Sequence, residues 1–160
     1  MNETDSNNKC SIVVFSGDMD KVMAAFIIAT TAAAMGRETS MFFTFWGLNA
    51  IQKGNPTGKG LLGKMLGLMN RGGIDRLGPS RLNFGGIGRW MFKKMMKDKG
   101  VTSLPELRQM AIDLGVNLLA CQMSMDVMEI TREDLIDEVA DVVGAATYCN
   151  RALQGQALFI

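Results

Sequence analysis

The stretch Ser11-Ile-Val-Val-Phe15, followed by Ser16-Gly17-Asp18, decides the fold. A short run rich in β-branched side chains indicates a buried strand. The residues after it supply a turn, with Asp18 as the N-cap of a helix. That helix is predicted over Met19–Met35 and a second strand over Thr39–Phe45. A strand, a helix and a strand in this order form a right-handed βαβ unit with parallel strands.

The second half of the chain repeats this alternation. Ser103 is predicted to cap a helix over Leu104–Leu114. The further predicted elements are a strand over Val116–Ala120 that ends at Cys121, a short strand within Glu138–Val143, a helix over Ala145–Leu153 and a strand over Ala157–Ile160. We therefore expect one α/β domain spanning residues 1–160, with a three-layer, flavodoxin-like arrangement of a parallel five-stranded sheet and helices on both faces. The order of the strands is left open.

The composition restricts the chemistry. Hydrophobic residues make up 48% and charged residues 21%, as in globular proteins. There is no histidine, which excludes Cys–His and Ser–His catalysis within one chain and histidine-ligated metal sites. The three cysteines show no CxxC spacing, and we expect neither a metal nor a cofactor. With a polar N-terminus and no long apolar run, a cytoplasmic protein is expected.

Residues 53–99 differ from the rest of the chain. They contain eleven basic residues and two acidic ones, a net charge of +9, whereas the remainder carries −8. Glycine and methionine are also concentrated there. We call residues 53–99 the basic segment and predict that it is an insertion with two short helices, over Leu61–Met69 and Trp90–Met96, around a glycine-rich loop. Gly58-Lys-Gly60-Leu-Leu-Gly63 matches a dinucleotide-binding pattern literally, but it does not follow a strand and is discounted.

The basic segment has several possible roles. Its apolar side chains can pack on the core or across an oligomer interface, because methionine-rich amphipathic segments suit adaptable contacts. Alternatively, the segment docks to an acidic partner or to an anionic membrane surface. Nucleic acid is disfavoured, because Phe84, Trp90 and Phe92 are too few to form a stacking platform.

Cys121 is the candidate reactive residue. In open α/β sheets, reactive groups gather beyond the carboxyl ends of the strands, where Cys121 is predicted to lie. A helix beginning just after it would direct N–H groups and partial positive charge at a thiolate. The alternative is a structural role, because buried free cysteines commonly act as small apolar residues. Cys10, before the first predicted strand, and Cys149, on an apolar helical face, are both interpreted as structural.

The residues around Cys121 resemble a known motif. Leu119-Ala-Cys121-Gln-Met-Ser-Met-Asp126-Val-Met resembles the cysteine motif of the DsrE/DsrF-like sulfur-relay proteins, and more closely that of the DsrE2-type branch often labelled "peroxiredoxin-like". The similarity extends to Ile12–Lys21, Phe42–Leu48, Gly144–Tyr148 and Leu158–Ile160. It therefore covers nearly the whole chain. One departure is Glu129, where this resemblance leads us to expect glycine; an acid there would disfavour the thiolate or alter the turn.

The resemblance implies a parallel α/β fold and a role in sulfur trafficking. In such proteins the matching cysteine accepts sulfane sulfur as a persulfide and passes it to a partner thiol. The implied partners are rhodanese-like and TusA-like proteins, and homo-oligomers are common.

Two hypotheses follow for this chain. In the first, it is a sulfur carrier in which Cys121 holds the persulfide. The amides of Gln122, Met123 and Ser124 would stabilise the anion, and the residues lining the same sheet edge would be Gly17, Asp18, Trp46 and Gly47. In the second, Cys121 is structural, and the protein is a non-catalytic module whose basic segment binds an acidic partner or a membrane surface.

Overall fold

The strands form one parallel sheet. The computed structural model describes residues 8–152 and 155–160. Its strands are β1 Lys9–Val14, β2 Glu38–Phe43, β3 Asn117–Cys121, β4 Asp141–Val143 and β5 Gln156–Phe159. They lie in the order β4-β3-β2-β1-β5, and each neighbouring pair is parallel. This confirms the predicted parallel five-stranded α/β fold and supplies the strand order that the sequence left open.

Helices connect the strands. They are α1 Met19–Ala34, α2 Leu61–Met69, α3 Ile87–Asp98, α4 Leu104–Asp113, α5 Gln122–Val127 and α6 Ala145–Ala152. The predicted cap at Ser103 is present as a capping box with Glu106, which satisfies N–H groups at the start of α4. Within the described part of the chain, no helix is both long and apolar enough to cross a membrane.

The two faces of the sheet are covered differently. Alternate residues of a strand point to opposite faces. On one face, Ile12, Met41 and Leu118 are fully buried in the main core, beneath α1. On the other face, Phe42 and Leu119 belong to a smaller cluster that includes a side chain of α6. The main core is therefore closed by the longer α1, whereas the smaller cluster depends on the eight-residue α6.

The basic segment is tied to the rest of the protein by hydrogen bonds at several points. The carboxylate of Asp20, in the first turn of α1, accepts bonds from the backbone N–H and the hydroxyl of Ser80 at 2.8 and 2.7 Å. The N–H of Met19 donates to the carbonyl of Gly78 at 2.8 Å. These bonds fix the loop before α3 at the start of α1, close to the carboxyl ends of the strands.

Several local predictions need correction. The second strand ends at Phe43, and a 3-10 helix over Phe45–Ile51 follows it, which the sequence analysis did not foresee. Cys10 lies inside β1, not before it, and is buried. Cys149 is exposed and not part of the core. It follows the buried Tyr148 by about 100° of helical turn, so it points away from the sheet. Leu153, the predicted end of α6, lies outside the described residues.

Candidate functional site

Cys121 lies where β3 meets α5. It is the last residue of β3 and also the N-cap residue of α5, with φ −78° and ψ 114°. This is the junction predicted from the sequence, and Cys121 pairs there with Val143 at the end of the edge strand β4. Its side chain is only 3% exposed. The thiol is thus at the predicted sheet edge but not in contact with solvent.

The thiol belongs to the smaller apolar cluster. The cluster consists of Phe42, Leu119, Cys121, Val143 and Tyr148, with Val13 packed against it. Tyr148 of α6 stacks on Phe42 of β2, with ring centroids 4.4 Å apart and an angle of 10° between the planes. Aromatic pairs of this kind add to the stabilisation from burial alone. α6 therefore contributes one tyrosine to the cluster that contains Cys121.

The hydroxyl of Tyr148 is an unusual feature of this cover. It is buried and makes no hydrogen bond within the described residues. Burial raises the pKa of Tyr148, although the nearby hydroxyl of Ser11 opposes this. A buried hydroxyl without a partner costs free energy.

A buried hydroxyl pair fixes the start of α5. The side-chain oxygens of Thr44, just after β2, and Ser124 lie 2.7 Å apart, and Ser124 is fully buried. This contact holds the turn after Cys121 against the end of the neighbouring strand. By contrast, Gln122 and Met123 are exposed, and Gln122 donates a hydrogen bond to Asp126 at 2.8 Å. Of these three residues, Ser124 is buried and the other two are exposed, whereas the prediction for them concerns their backbone amides.

The other predicted site residues meet in two adjoining loops. The N–H of Gly47 donates to the carbonyl of Phe15 at 2.9 Å, and a Cβ on Gly47 would lie 2.0 Å from the carbonyl oxygen of Val14. A Cβ on Gly17 would lie 2.7 Å from the carbonyl oxygen of Trp46. The loops after β1 and β2 can approach this closely only because both positions are glycine. The structure thus brings Gly17, Trp46 and Gly47 together at the predicted edge.

Asp18 lies at the same edge, but its carboxylate already accepts two hydrogen bonds from neighbouring side chains. Its carboxylate accepts bonds from the hydroxyl of Ser16 at 3.0 Å and the ammonium of Lys21 at 2.8 Å. It is the N-cap residue of α1, as predicted, but its side chain makes no capping bond. Trp46 is 43% exposed and presents its ring at the surface. Trp46 is therefore more accessible to a partner than Asp18.

Sequence reasoning missed the residues that enclose the thiol. Phe42, Thr44 and Tyr148 come from β2, the loop after it and α6, which are distant in sequence. A partial signal was present, because Phe42 and the β3 residues Leu119 and Cys121 follow the two-residue alternation of strands. Without the register between β2 and β3, that alternation does not show which of these side chains share a face.

Glu129 has a structural explanation. Its φ is +52°, the left-handed conformation that glycine adopts most easily, so the turn keeps the geometry of the expected glycine. Its carboxylate accepts hydrogen bonds from the N–H groups of Lys59 and Gly60, at 2.5 and 2.9 Å, at the start of α2. These bonds lower the pKa of Glu129. Glu129 thus connects the turn after α5 to the basic segment.

The apolar side chains of the basic segment face outward. In α2, Leu61, Leu62, Leu68 and Met69 are 71–87% exposed, and the buried residues of that helix are Gly63 and Gly67. In α3, Trp90 is 66% exposed, whereas Phe92 and Met96 pack partly against the main core. Packing on the protein's own core, one of the predicted roles, is therefore wrong for α2 and holds only for one side of α3.

Comparisons with known proteins agree with this architecture. The model of the DsrE/DsrF/DrsH-like family matches residues 6–160. The chain is 45% identical over 160 residues to an uncharacterized protein of Bacillus subtilis, YrkE, covering 98% of this chain and 99% of YrkE. It is 35% identical over 153 residues to the sulfur carrier protein DsrE2 of Allochromatium vinosum, covering 88% of this chain and 89% of that protein.

Solved structures show the same fold. The YchN protein of E. coli superposes with a TM-score of 0.55 at 12% identity, covering 96% of this chain and 99% of YchN. A protein of unknown function from Methanobacterium thermoautotrophicum, MTH1491, gives a TM-score of 0.53 at 12% identity, covering 96% of this chain and all of that one. At this level of identity the likeness concerns the fold alone.

Proposed function

Because this chain belongs to the DsrE/DsrF/DrsH-like family, we propose that it is a sulfur-relay protein that carries sulfane sulfur as a persulfide on Cys121. The observation that carries the proposal is the position of Cys121, which is both the last residue of β3 and the N-cap residue of α5. The relative named as a sulfur carrier is similar over most of this chain. The first-turn N–H groups of a helix have no intrahelical acceptor and carry partial positive charge, which favours an anionic sulfur.

The proposed chemistry is two successive exchanges at sulfur. The Cys121 thiolate attacks the outer sulfur of a donor persulfide; a bond forms between Sγ and that sulfur, and the donor leaves as a thiolate. An acceptor thiolate then attacks the outer sulfur on Cys121, which restores the Cys121 thiolate. The transferred sulfur keeps its oxidation state throughout, so neither step needs an external oxidant or reductant. The reaction type is the same as thiol–disulfide exchange.

The burial of Cys121 adds a requirement. An attacking or departing sulfur must reach Sγ of a residue that is only 3% exposed and that belongs to the same buried cluster as Tyr148. We therefore propose that α6 moves aside during transfer and protects the persulfide from solvent thiols between transfers. The exposed side chains of Gln122, Met123 and Trp46 at this edge would contact the partner, while Gly17, Asp18, Gly47 and Ser124 shape the surface on which it docks.

Mass spectrometry of the intact protein tests the proposal directly. After incubation with an excess of a sulfane-sulfur donor, we expect a mass increase of one sulfur atom that maps to Cys121. Cys121→Ser should remove this increase. Cys149→Ser is the matched control, because it removes an exposed thiol outside the proposed site. Equal loading of Cys121→Ser and the unmodified protein would overturn the assignment of Cys121.

The sulfur donor and acceptor are proposed from the same family membership. We propose that the donor and acceptor are rhodanese-like and TusA-like proteins, that the protein forms homo-oligomers, and that it acts in the cytoplasm. Mixing the persulfide-loaded protein with a TusA-like protein should move the added mass from one chain to the other. Loss of the sulfur to bulk thiols without a gain by that partner would exclude it as the acceptor.

A second candidate function concerns the basic segment. We propose that α2 and α3 attach the protein to an anionic membrane surface or to an acidic partner, with or without chemistry at Cys121. The supporting observation is the combination of exposed large apolar side chains in both helices with four lysines and arginines in α3 and one lysine in α2, a pattern typical of helices that lie in a membrane interface. Flotation with anionic and neutral vesicles tests this, since an interfacial helix of this type binds the anionic vesicles more tightly.

A further inference from the structure

The basic segment contains a concavity that gathers cationic side chains. It has a volume of about 650 Å³ and is lined by Met69, Arg71, Asp75, Arg76, Arg89 and Lys93. Its lining therefore includes four positive charges and one negative charge. Like charges brought together repel each other, and a bound anion relieves that repulsion. We propose that this concavity, the arginine basin, binds a phosphate group.

Three of the four basic side chains of the arginine basin, all but Arg76, are held in place by the backbone. Nε of Arg71 donates to the carbonyl of Gly54 at 2.9 Å, and Nη1 of Arg89 donates to the carbonyl of Arg76 at 2.7 Å. Nζ of Lys93 donates to the carbonyl of Asp75 at 2.8 Å. Each of these bonds uses one donor of a group that has five in arginine and three in lysine. The remaining donors are thus oriented before any ligand arrives.

The charges of the arginine basin are only partly neutralised. Lys93 lies 3.6 Å from the carboxylate of Asp75. None of Arg71, Arg76 and Arg89 forms an ion pair with a carboxylate of the described residues. Gly54 and Gly73 adjoin Arg76, and a Cβ on either would come only into ordinary contact with its side chain, at 3.8 Å from Nε and 3.7 Å from Cδ. Both glycines have a positive φ, which other residues rarely adopt.

The donor geometry favours phosphate over a simple halide. A guanidinium group offers parallel N–H donors that match two oxygens of one phosphate, and several arginines can share its charge. A neighbouring concavity of about 380 Å³ shares Asp75 and Arg76 with the arginine basin and adds Lys53 and Arg108. The positively charged surface is therefore larger than one phosphate group. Met69 adds an apolar side chain to the lining of the basin. Free phosphate and the phosphate of an anionic lipid headgroup offer this same chemistry.

The test measures binding of two probes by the full-length protein. The first probe is inorganic phosphate, titrated at constant ionic strength against chloride. The second is a vesicle in which phosphatidylglycerol is the minor component beside phosphatidylcholine. Arg76→Gln and the double variant Arg76→Gln/Arg89→Gln remove donors from the basin. Lys59→Gln/Arg81→Gln is the matched control, because it removes two positive charges from the same segment outside the basin and outside α2 and α3.

We expect Arg76→Gln to weaken binding of at least one probe by about tenfold or more, as for the loss of a charge-assisted hydrogen bond, and the control to retain it. The double variant does not have to fold for the test to succeed. The Arg76 side chain makes no hydrogen bond to the described residues, so Arg76→Gln alone should leave the fold intact. Phosphate binding alone identifies a soluble ligand, and vesicle binding alone identifies a headgroup. Equal binding of both probes by Arg76→Gln and the control pair would overturn the proposal. This site is independent of sulfur loading on Cys121.

Discussion

Cys121 and Leu61 stand at opposite ends of the range of exposure, at 3% and 87%. Around Cys121, apolar side chains from β2, β3, β4 and α6 form one buried cluster with the thiol, and nearby hydroxyls pair with each other. In the basic segment, leucine and methionine point outward among lysines and arginines. The first region keeps the proposed reactive thiol away from solvent, whereas the second leaves apolar side chains exposed at the surface. From this difference we infer that chemistry and recognition are assigned to separate parts of this chain.

The largest expected effect comes from removing the cover of Cys121. Tyr148→Ala leaves a cavity above Phe42, and losses of about 3–5 kcal/mol are typical for a buried aromatic residue replaced by alanine. We expect a lower free energy of unfolding and a faster reaction of Cys121 with iodoacetamide. Denaturant unfolding gives the first quantity, and peptide mass spectrometry after timed alkylation gives the second.

Tyr148→Phe is the matched control for that change. It keeps the ring that stacks on Phe42 and removes only the unpartnered hydroxyl. Since deletion of an unsatisfied buried group is close to neutral or stabilising, its stability should equal or exceed that of the unmodified protein. In both proteins Cys149 should react quickly and Cys121 slowly. If Tyr148→Ala left the rate at Cys121 unchanged, α6 would not be its cover.

A smaller effect is expected from the hydroxyl pair beside the thiol. Thr44→Val leaves the hydroxyl of Ser124 buried without its partner, and Ser124→Ala does the same to Thr44. Each single change should cost about 1–3 kcal/mol. The double variant should cost less than the sum of the two, because both changes remove the same contact. Strictly additive losses would show that the pair is not coupled.

The strands and helices could be predicted from the sequence better than the buried surroundings of Cys121. Short β-branched runs and the cap at Ser103 were enough to place strands and helices, because those signals are local. The position of Cys121 at a strand end followed for the same reason. Its burial did not, because Phe42 and Tyr148 reach it only through strand pairing and the return of α6 to the sheet. The exposure of Cys149 was mispredicted because helical periodicity cannot show how few residues of α6 touch the sheet.

Acid should weaken the ties between the two regions. Hydrogen bonds from Gly60 and Lys59 lower the pKa of Glu129. Burial tends to raise the pKa of Asp20, but hydrogen bonds from Ser80 outweigh this effect and lower it. A carboxylate whose pKa is lower in the folded state stabilises that state above the unfolded pKa, about 4 for these residues. This contribution is lost as the pH falls through the lower, folded value. We expect faster hydrogen exchange in α2 on acidification, before the sheet unfolds.

Glu129→Gln should produce part of that effect at neutral pH. The amide keeps one acceptor oxygen but loses the charge, so the contact with the start of α2 weakens. Glu138→Gln is the control. It removes the charge of another exposed glutamate, nine residues further along the chain, whose carboxylate makes no bond to the basic segment in the described residues. Identical exchange in α2 for both variants would mean that Glu129 does not hold the segment.

The smallest effect on stability, and the sharpest test of the contrast between the regions, is expected in α2. Leu61→Gln and Leu68→Gln alter side chains that are 87% and 71% exposed, and surface changes of this kind usually shift stability by no more than about 0.5 kcal/mol. The same variants should reduce vesicle binding or self-association if the exposed face is a contact surface. Leu118→Gln, in the core, should instead destabilise the fold strongly, because it buries an amide without a partner. Suppose instead that Leu61→Gln and Leu68→Gln lowered the free energy of unfolding as much as Leu118→Gln does. In that case α2 would pack against the rest of the protein in solution, and the contrast between a buried site and an exposed contact surface would be wrong.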